Sequence, residues 1–124
     1  MRVILDECVP RPLTRHVAGH EVTTVQERGW AGLKNGPLLR LMREAGVEAF
    51  VTTDRNLEYQ QNVAAAGFAV VVLVAVTNTL QDLLPLVPAL LLALEHSRPG
   101  QVTRVGVYLH VATDRSLAML ARGW

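Results

Sequence analysis

The chain is short of several residue types, and each shortage excludes a class of protein. Cys8 is the single cysteine among 124 residues, which excludes an internal disulfide and leads us to expect a reducing, cytoplasmic environment. The 12 basic and 11 acidic side chains give a formal net charge of +1. That balance is unlike the strong basic excess of proteins that coat nucleic acid, although it leaves room for a local basic patch.

Apolar runs of membrane-spanning length are also missing. Residues 68–76 are too few to cross a bilayer, and residues 83–94 form a short run that contains Pro85 and Pro88. The first residues lead straight into a strand pattern, so we expect no signal peptide. We therefore expect no membrane partner.

The residues that are abundant are aliphatic. Hydrophobic residues make up 50% of the sequence and aromatic residues 5%, and the mean hydropathy is +0.24. This apolar material is enough for one core and suits strands that are buried on both faces of a sheet. The sequence therefore predicts a single domain over residues 1–124.

Strand and helix patterns alternate along the chain. The predicted strands are residues 2–5, 20–25, 47–52, 68–76 and 102–111, and the predicted helices are residues 11–18, 37–45, 57–66, 79–96 and 114–124. This alternation predicts an α/β fold with a parallel sheet and right-handed crossovers. The long aliphatic run 68–76 should lie at or next to the centre of the sheet. Thr79 and Asp82 fit a helix-capping box.

Acidic residues follow two of the predicted strands. The first strand runs into Asp6 and Glu7, and the third runs into Asp54. In open parallel sheets, ligands bind beyond the carboxyl ends of the strands. Carboxylates gathered there favour a divalent cation, which can activate water and stabilise a phosphoryl transition state. Position alone leaves a second interpretation open, in which Asp6 is an ordinary strand-end acid and Asp54 caps the next helix.

Three segments together resemble a family of small prokaryotic PIN-like proteins, often grouped with the toxin components of toxin–antitoxin pairs. They are Leu5-Asp-Glu-Cys-Val-Pro10, Gly29-Trp-Ala-Gly-Leu-Lys-Asn-Gly36 and Val51-Thr-Thr-Asp-Arg-Asn-Leu57. The resemblance covers about residues 1–105 and leaves 106–124 as a C-terminal extension. It implies a PIN-like three-layer sandwich, in which helices flank a mostly parallel central sheet. It also implies a metal-dependent endoribonuclease that uses Mg²⁺ or Mn²⁺.

The resemblance also implies roles for single residues. Asp6 matches the first-strand acid that PIN domains use as a metal ligand, and Asp54 matches the acid after a later strand. Glu7 is expected to assist catalysis beside them. Asn35 and Asn56 stand where relatives commonly place acids. An amide oxygen still ligates a metal but adds no negative charge, so we expect weaker affinity for a hard cation.

Some neighbouring residues carry two interpretations each. Arg55 and Lys34 are expected to meet substrate phosphates, or else they are solvated loop charges. Trp30 would stack on a base or, with more weight, anchor its loop on the core. Cys8 is expected to be buried and inert.

Two functions follow from these features. The first is a PIN-type ribonuclease, the toxin of a toxin–antitoxin pair, with RNA as substrate, a cognate antitoxin as partner and a homodimer as assembly. The alternative is a non-catalytic PIN-like binding module with a degraded metal site. A receiver-like doubly wound domain lacks support, since the lysine and threonine partners of such domains are not matched.

Overall fold

A computed structural model describes residues 1–33, 35–55, 67–106 and 111–112, and for residues 35, 111 and 112 it describes the backbone alone. Within these residues, no helix is both long and apolar enough to cross a membrane. The helices predicted at 57–66 and 114–124 lie outside the described residues.

Six strands form one sheet in the order β2-β1-β3-β4-β5-β6. The first five pair in parallel and are β1 (Arg2–Leu5), β2 (Glu21–Thr24), β3 (Ala49–Thr52), β4 (Ala69–Val74) and β5 (Val102–Gly106). The sixth, β6 (Val111–Ala112), runs antiparallel to β5. The expected place of β4 at or next to the centre is confirmed.

The strand predicted over residues 102–111 is therefore wrong in its length. It is replaced by β5 and β6, which pair with each other in opposite directions. The alternating valines of this segment match both a single strand and a pair of strands. Only the pairing partner distinguishes the two arrangements.

The helical elements are short. They are a 3₁₀ helix (Arg11–His16), α1 (Asn35–Glu44), α2 (Leu80–Leu83), a second 3₁₀ helix (Leu84–Leu86) and α3 (Val87–Glu95). The helical run over residues 79–96, which the prolines were expected to kink or to restart, is divided in three at Pro85 and Pro88. Proline has no N–H to donate and is tolerated in the first turn of a helix, so each proline begins a new helical segment.

Both faces of the sheet are covered, because successive strand residues enter different clusters of buried side chains. The first core cluster lies under the first 3₁₀ helix, α2 and α3, and includes Val3, Leu5, Leu13, Val51, Val71, Leu73, Leu90 and Leu94. The second core cluster lies under α1 and includes Ile4, Leu38, Met42, Phe50, Phe68, Val70 and Val72. The α/β class is confirmed, with helices on both sides of a mostly parallel sheet.

Two of the crossovers differ in hand. The connections β2–β3 and β4–β5 cross the sheet in the same direction, yet α1 packs in the second core cluster and α3 in the first. When two connections between parallel strands cross a sheet in the same direction, one over each face, one of them is right-handed and the other is left-handed. The expectation of right-handed crossovers throughout is therefore wrong for one of these two connections.

Candidate functional site

The strand order creates a switch point between β1 and β3. The chain leaves β1 for β2 on one side of the sheet and returns to β3 on the other, so the loops after β1 and β3 diverge. Leu5 pairs with Val51 in the register of the two strands, and the N–H of Asp6 donates to the Val51 carbonyl at 2.8 Å. The residues after both strands therefore meet at the edge where ligands bind in open parallel sheets.

Asp6 is the buried acid of this edge, with 7% of its surface exposed. Its Oδ1 accepts a hydrogen bond of 2.8 Å from the N–H of Glu7, and its Oδ2 accepts one of 2.7 Å from the Thr52 hydroxyl. Hydrogen bonds to a carboxylate are stronger than those between neutral groups, so these two bonds hold the carboxylate in one orientation.

Thr52 connects the two acids. Its Oγ1 donates to Asp6 and also accepts a hydrogen bond of 3.0 Å from the N–H of Asp54. Thr52 is fully buried at the end of an aliphatic strand. The sequence analysis did not assign it a role, although a hydroxyl among buried apolar residues is a signal, because such a group needs a partner.

Cys8 differs from the inert, buried cysteine that we expected. It is half-buried, and its Sγ lies 3.6 Å from both Asp6 Oδ2 and Thr52 Oγ1. A thiol is a weak donor, so it adds a soft contact to the carboxylate rather than a strong bond. Because the chain turns after Asp6, the Cys8 side chain lies next to the ends of β1 and β3.

The turn after Asp6 is held from both sides. The Gln26 side chain, which follows β2, donates to the Glu7 carbonyl at 3.1 Å. The Asn78 side chain, which follows β4, donates to the Cys8 carbonyl at 2.9 Å. Both amides were missed from the sequence, since they lie far from the turn along the chain. The Glu7 residue itself is exposed at this edge.

The remaining predicted residues lie in different environments. Asp54 is half-buried beside Thr52, and Arg55 is exposed, with its guanidinium donating to the Ala75 carbonyl after β4. Asn35 begins α1, and its side chain is not described. Lys34 and Asn56 lie outside the described residues.

Trp30 packs against the second core cluster and is half-buried. The Arg28 guanidinium lies over its ring, 5.5 Å from the centroid. The interpretation of Trp30 as the anchor of its loop is therefore confirmed. The cation above the ring adds a favourable contact to this anchor.

The donor set restricts the kind of metal site that fits here. No group of three or more His, Cys, Asp or Glu side chains is placed to hold a metal ion within the described part of the chain. Mg²⁺ is commonly bound through one or two carboxylates, with water and substrate phosphates completing its shell. A site of that kind would need only the two carboxylates of Asp6 and Asp54, whereas the described side chains form no closed cage of protein ligands.

The chain was also compared with known proteins. No family model matches it, and neither the curated proteins nor the solved structures include a match.

Proposed function

We propose that the chain is a metal-dependent endoribonuclease of PIN type. The observation that carries the proposal is the Asp6 carboxylate, buried at the switch point, oriented by Thr52 and joined through Thr52 to Asp54. Ligand sites of open parallel sheets lie at this place, and oriented carboxylates are the ligands of Mg²⁺ and Mn²⁺. The resemblance of the three sequence segments to PIN-like proteins supplies the reaction class.

In this proposal, Asp6 and Asp54 would hold the cation, which when bound would supply activation of water and neutralisation of phosphate charge. Thr52 acts as a positioning residue, because its hydroxyl binds one acid directly and the backbone of the other. The exposed Glu7 assists by accepting a proton or orienting water. Asn35 and Asn56 are the proposed amide ligands that complement the two carboxylates.

The biological setting is proposed from the resemblance. It is the toxin role in a toxin–antitoxin pair, with an antitoxin protein as partner, a homodimer as assembly and the cytoplasm as location. A short open reading frame directly upstream of the gene would support the pairing. Its absence would remove that part of the proposal and leave the nuclease chemistry standing.

The decisive experiment is cleavage of a random-sequence RNA pool with Mn²⁺ or Mg²⁺, beside an EDTA control. We expect cleavage by the native chain to fall by at least about 100-fold in Asp6→Asn and in Asp54→Asn, since even residues that only support metal ligands cost 10–100-fold. Glu95→Gln is the matched control, because Glu95 is an exposed acid at the end of α3, which leads to the opposite edge.

Folding of each variant is checked by its thermal unfolding. Asp54 is half-buried, so Asp54→Asn keeps the experiment informative if the buried Asp6→Asn variant fails to fold. RNA cleavage that persists in both folded variants, or that continues in EDTA, would overturn the proposed metal nuclease.

One observation favours the second function, a non-catalytic binding module. Both oxygens of Asp6 already accept hydrogen bonds within the protein, and no three-ligand group exists among the described side chains. This candidate predicts that titration calorimetry with Mn²⁺ gives no binding heat and that the native chain does not cleave RNA. A Mn²⁺ site that is lost in Asp54→Asn would exclude it.

A further inference from the structure

A second feature of the same edge is a pocket of about 250 Å³ between the loops that follow β3 and β4. Thr53 and Arg55 line it from the β3 side. Leu73, at the end of β4, and Ala75, Val76 and Asn78 line it from the other side. Asp54 lies between Thr53 and Arg55 in the chain but does not line the pocket, and no acidic side chain is among the described residues that line it.

Arg55 gives the pocket its charge. Its guanidinium donates to the Ala75 carbonyl, which ties the side chain across the mouth of the pocket. A guanidinium carries five N–H donors, which is more than this bond uses. Arginine held in one orientation is well suited to phosphate, because its planar fork matches two phosphate oxygens.

The opposite wall is mixed, with Ala75 and Val76 beside the polar Thr77 and Asn78, and its apolar part at Val76 is exposed. Val76 has 96% of its surface in contact with solvent, whereas the other exposed large hydrophobic residues of the described chain, Met1 and Leu33, reach 38% and 37%. Leu73 closes the bottom of the pocket and is buried. An exposed apolar side chain beside the Arg55 guanidinium suits a ligand that has a flat apolar part and an anionic part.

The pocket is also connected to the turn that carries Asp6. Asn78 lines the pocket and donates from its Nδ2 to the Cys8 carbonyl, two residues after Asp6. The Asn78 amide also carries an oxygen that can accept a hydrogen bond. Asn78 therefore links the lining of the pocket to that turn.

We propose that this pocket binds one nucleotide of single-stranded RNA, with the base against Val76 and the phosphate on Arg55. The volume is below the roughly 300–1,000 Å³ of pockets for drug-sized ligands, which suits one nucleotide rather than two. The inference rests on the proposed function, because it assigns the pocket to the strand that the nuclease cleaves. It makes Arg55 and Val76 substrate-binding residues and assigns them no part in catalysis.

The test titrates ¹⁵N-labelled native protein with 5′-AMP, 5′-UMP and inorganic phosphate in EDTA, where metal-dependent cleavage cannot run. We expect amide shifts at Val76, Thr77 and Asn78 with both nucleotides. Affinity for 5′-AMP should fall about 10-fold or more in Arg55→Gln, as expected for losing hydrogen bonds to a charged group. Val76→Asp should also weaken binding, since it replaces the apolar surface proposed for the base and adds a negative charge to a pocket that binds an anion.

Arg98→Gln is the matched control. Arg98 is exposed in the turn before β5, at the edge of the sheet opposite the pocket, so 5′-AMP binding should be unchanged. Equal affinity of the native protein for inorganic phosphate and 5′-AMP would overturn the nucleotide assignment and leave only an anion site. Absence of nucleotide shifts would overturn it as well.

A kinetic comparison separates this inference from the proposed function. If the native chain cleaves RNA, Arg55→Gln should raise KM and leave kcat nearly unchanged. Cleavage with an unaltered KM in Arg55→Gln and Val76→Asp would overturn the pocket assignment while the nuclease stands. Nucleotide binding at the pocket without any cleavage would support the pocket and overturn the nuclease.

Discussion

At the scale of single residues, the Thr52 hydroxyl joins the ends of β1 and β3 through two hydrogen bonds. Asp6 is nearly inaccessible to solvent, and a buried carboxylate without partners would be costly. The Thr52 hydroxyl offsets that cost and at the same time accepts from the backbone of Asp54. The same group therefore serves both stability and the geometry of the proposed site.

We expect Thr52→Val to lower the free energy of unfolding by about 1.5–3 kcal/mol, the range for losing a hydrogen bond to a charged group. Valine has nearly the same shape, so packing is conserved. Thr24→Val is the control, because Thr24 is similarly buried and its hydroxyl accepts from the neutral N–H of Glu27 rather than donating to a carboxylate. Its loss should be about 1 kcal/mol. Equal losses in urea unfolding would contradict a charge-assisted bond at Thr52.

At the scale of elements, two threonine side chains cap the start of the helical run after β4. Thr79 caps α2 by accepting a hydrogen bond of 3.3 Å from the N–H of Asp82, which confirms half of the predicted capping box. The reciprocal half is replaced by Thr77. The Thr77 hydroxyl accepts from the N–H of Thr79 at 3.2 Å and donates to the Asp82 carboxylate at 2.6 Å.

Thr79→Ala should lower the free energy of unfolding by about 1 kcal/mol, the usual effect of removing an N-cap side chain. Thr79→Ser keeps the capping oxygen and should stay close to the native value. The two variants are compared by urea unfolding with the slope of the transition checked for constancy. A loss in Thr79→Ser as large as in Thr79→Ala would show that the cap does not stabilise this helical run.

At the scale of the whole molecule, the sheet is a middle layer with a core on each side. Neighbouring residues of β4 show this most clearly, because Val71 belongs to the first core cluster and Val72 to the second, and both are fully buried. A run of consecutive aliphatic residues is what such a strand requires.

Val71→Ala and Val72→Ala should each lower the free energy of unfolding by about 2 kcal/mol, because each deletes two buried carbon atoms. Val76→Ala is the matched control, since Val76 is 96% exposed, and it should change stability by less than about 0.5 kcal/mol. If only one of the two buried variants lost stability, one face of the sheet would contribute far less than its burial indicates.

Much of this architecture could be predicted from local patterns. The strands at Arg2–Leu5, Ala49–Thr52 and Ala69–Val74 lie within their predicted ranges, because each is an aliphatic run between turn residues. The two acids could be named as well, since a strand in a parallel sheet presents its carboxyl end to the ligand edge. The α/β class followed from the order of these elements alone.

Other features depended on which distant residues become neighbours. Thr52 meets Asp6 across 46 positions of the chain, and Asn78 meets the Cys8 carbonyl across 70. No local propensity encodes such a pairing, because a hydroxyl or an amide has many potential partners until the sheet selects one.

The sequence by itself determined the first four strands, the burial of both sheet faces and the two acids at strand ends, because these depend on short-range pattern and on the period of the side chains. The tertiary structure alone decided the strand order, the opposite hands of two crossovers and the reversal between β5 and β6. It also decided that Thr52 meets Asp6 and that Asn78 meets the Cys8 carbonyl. The physical reason is that each of these features depends on contacts between segments that are distant in the chain.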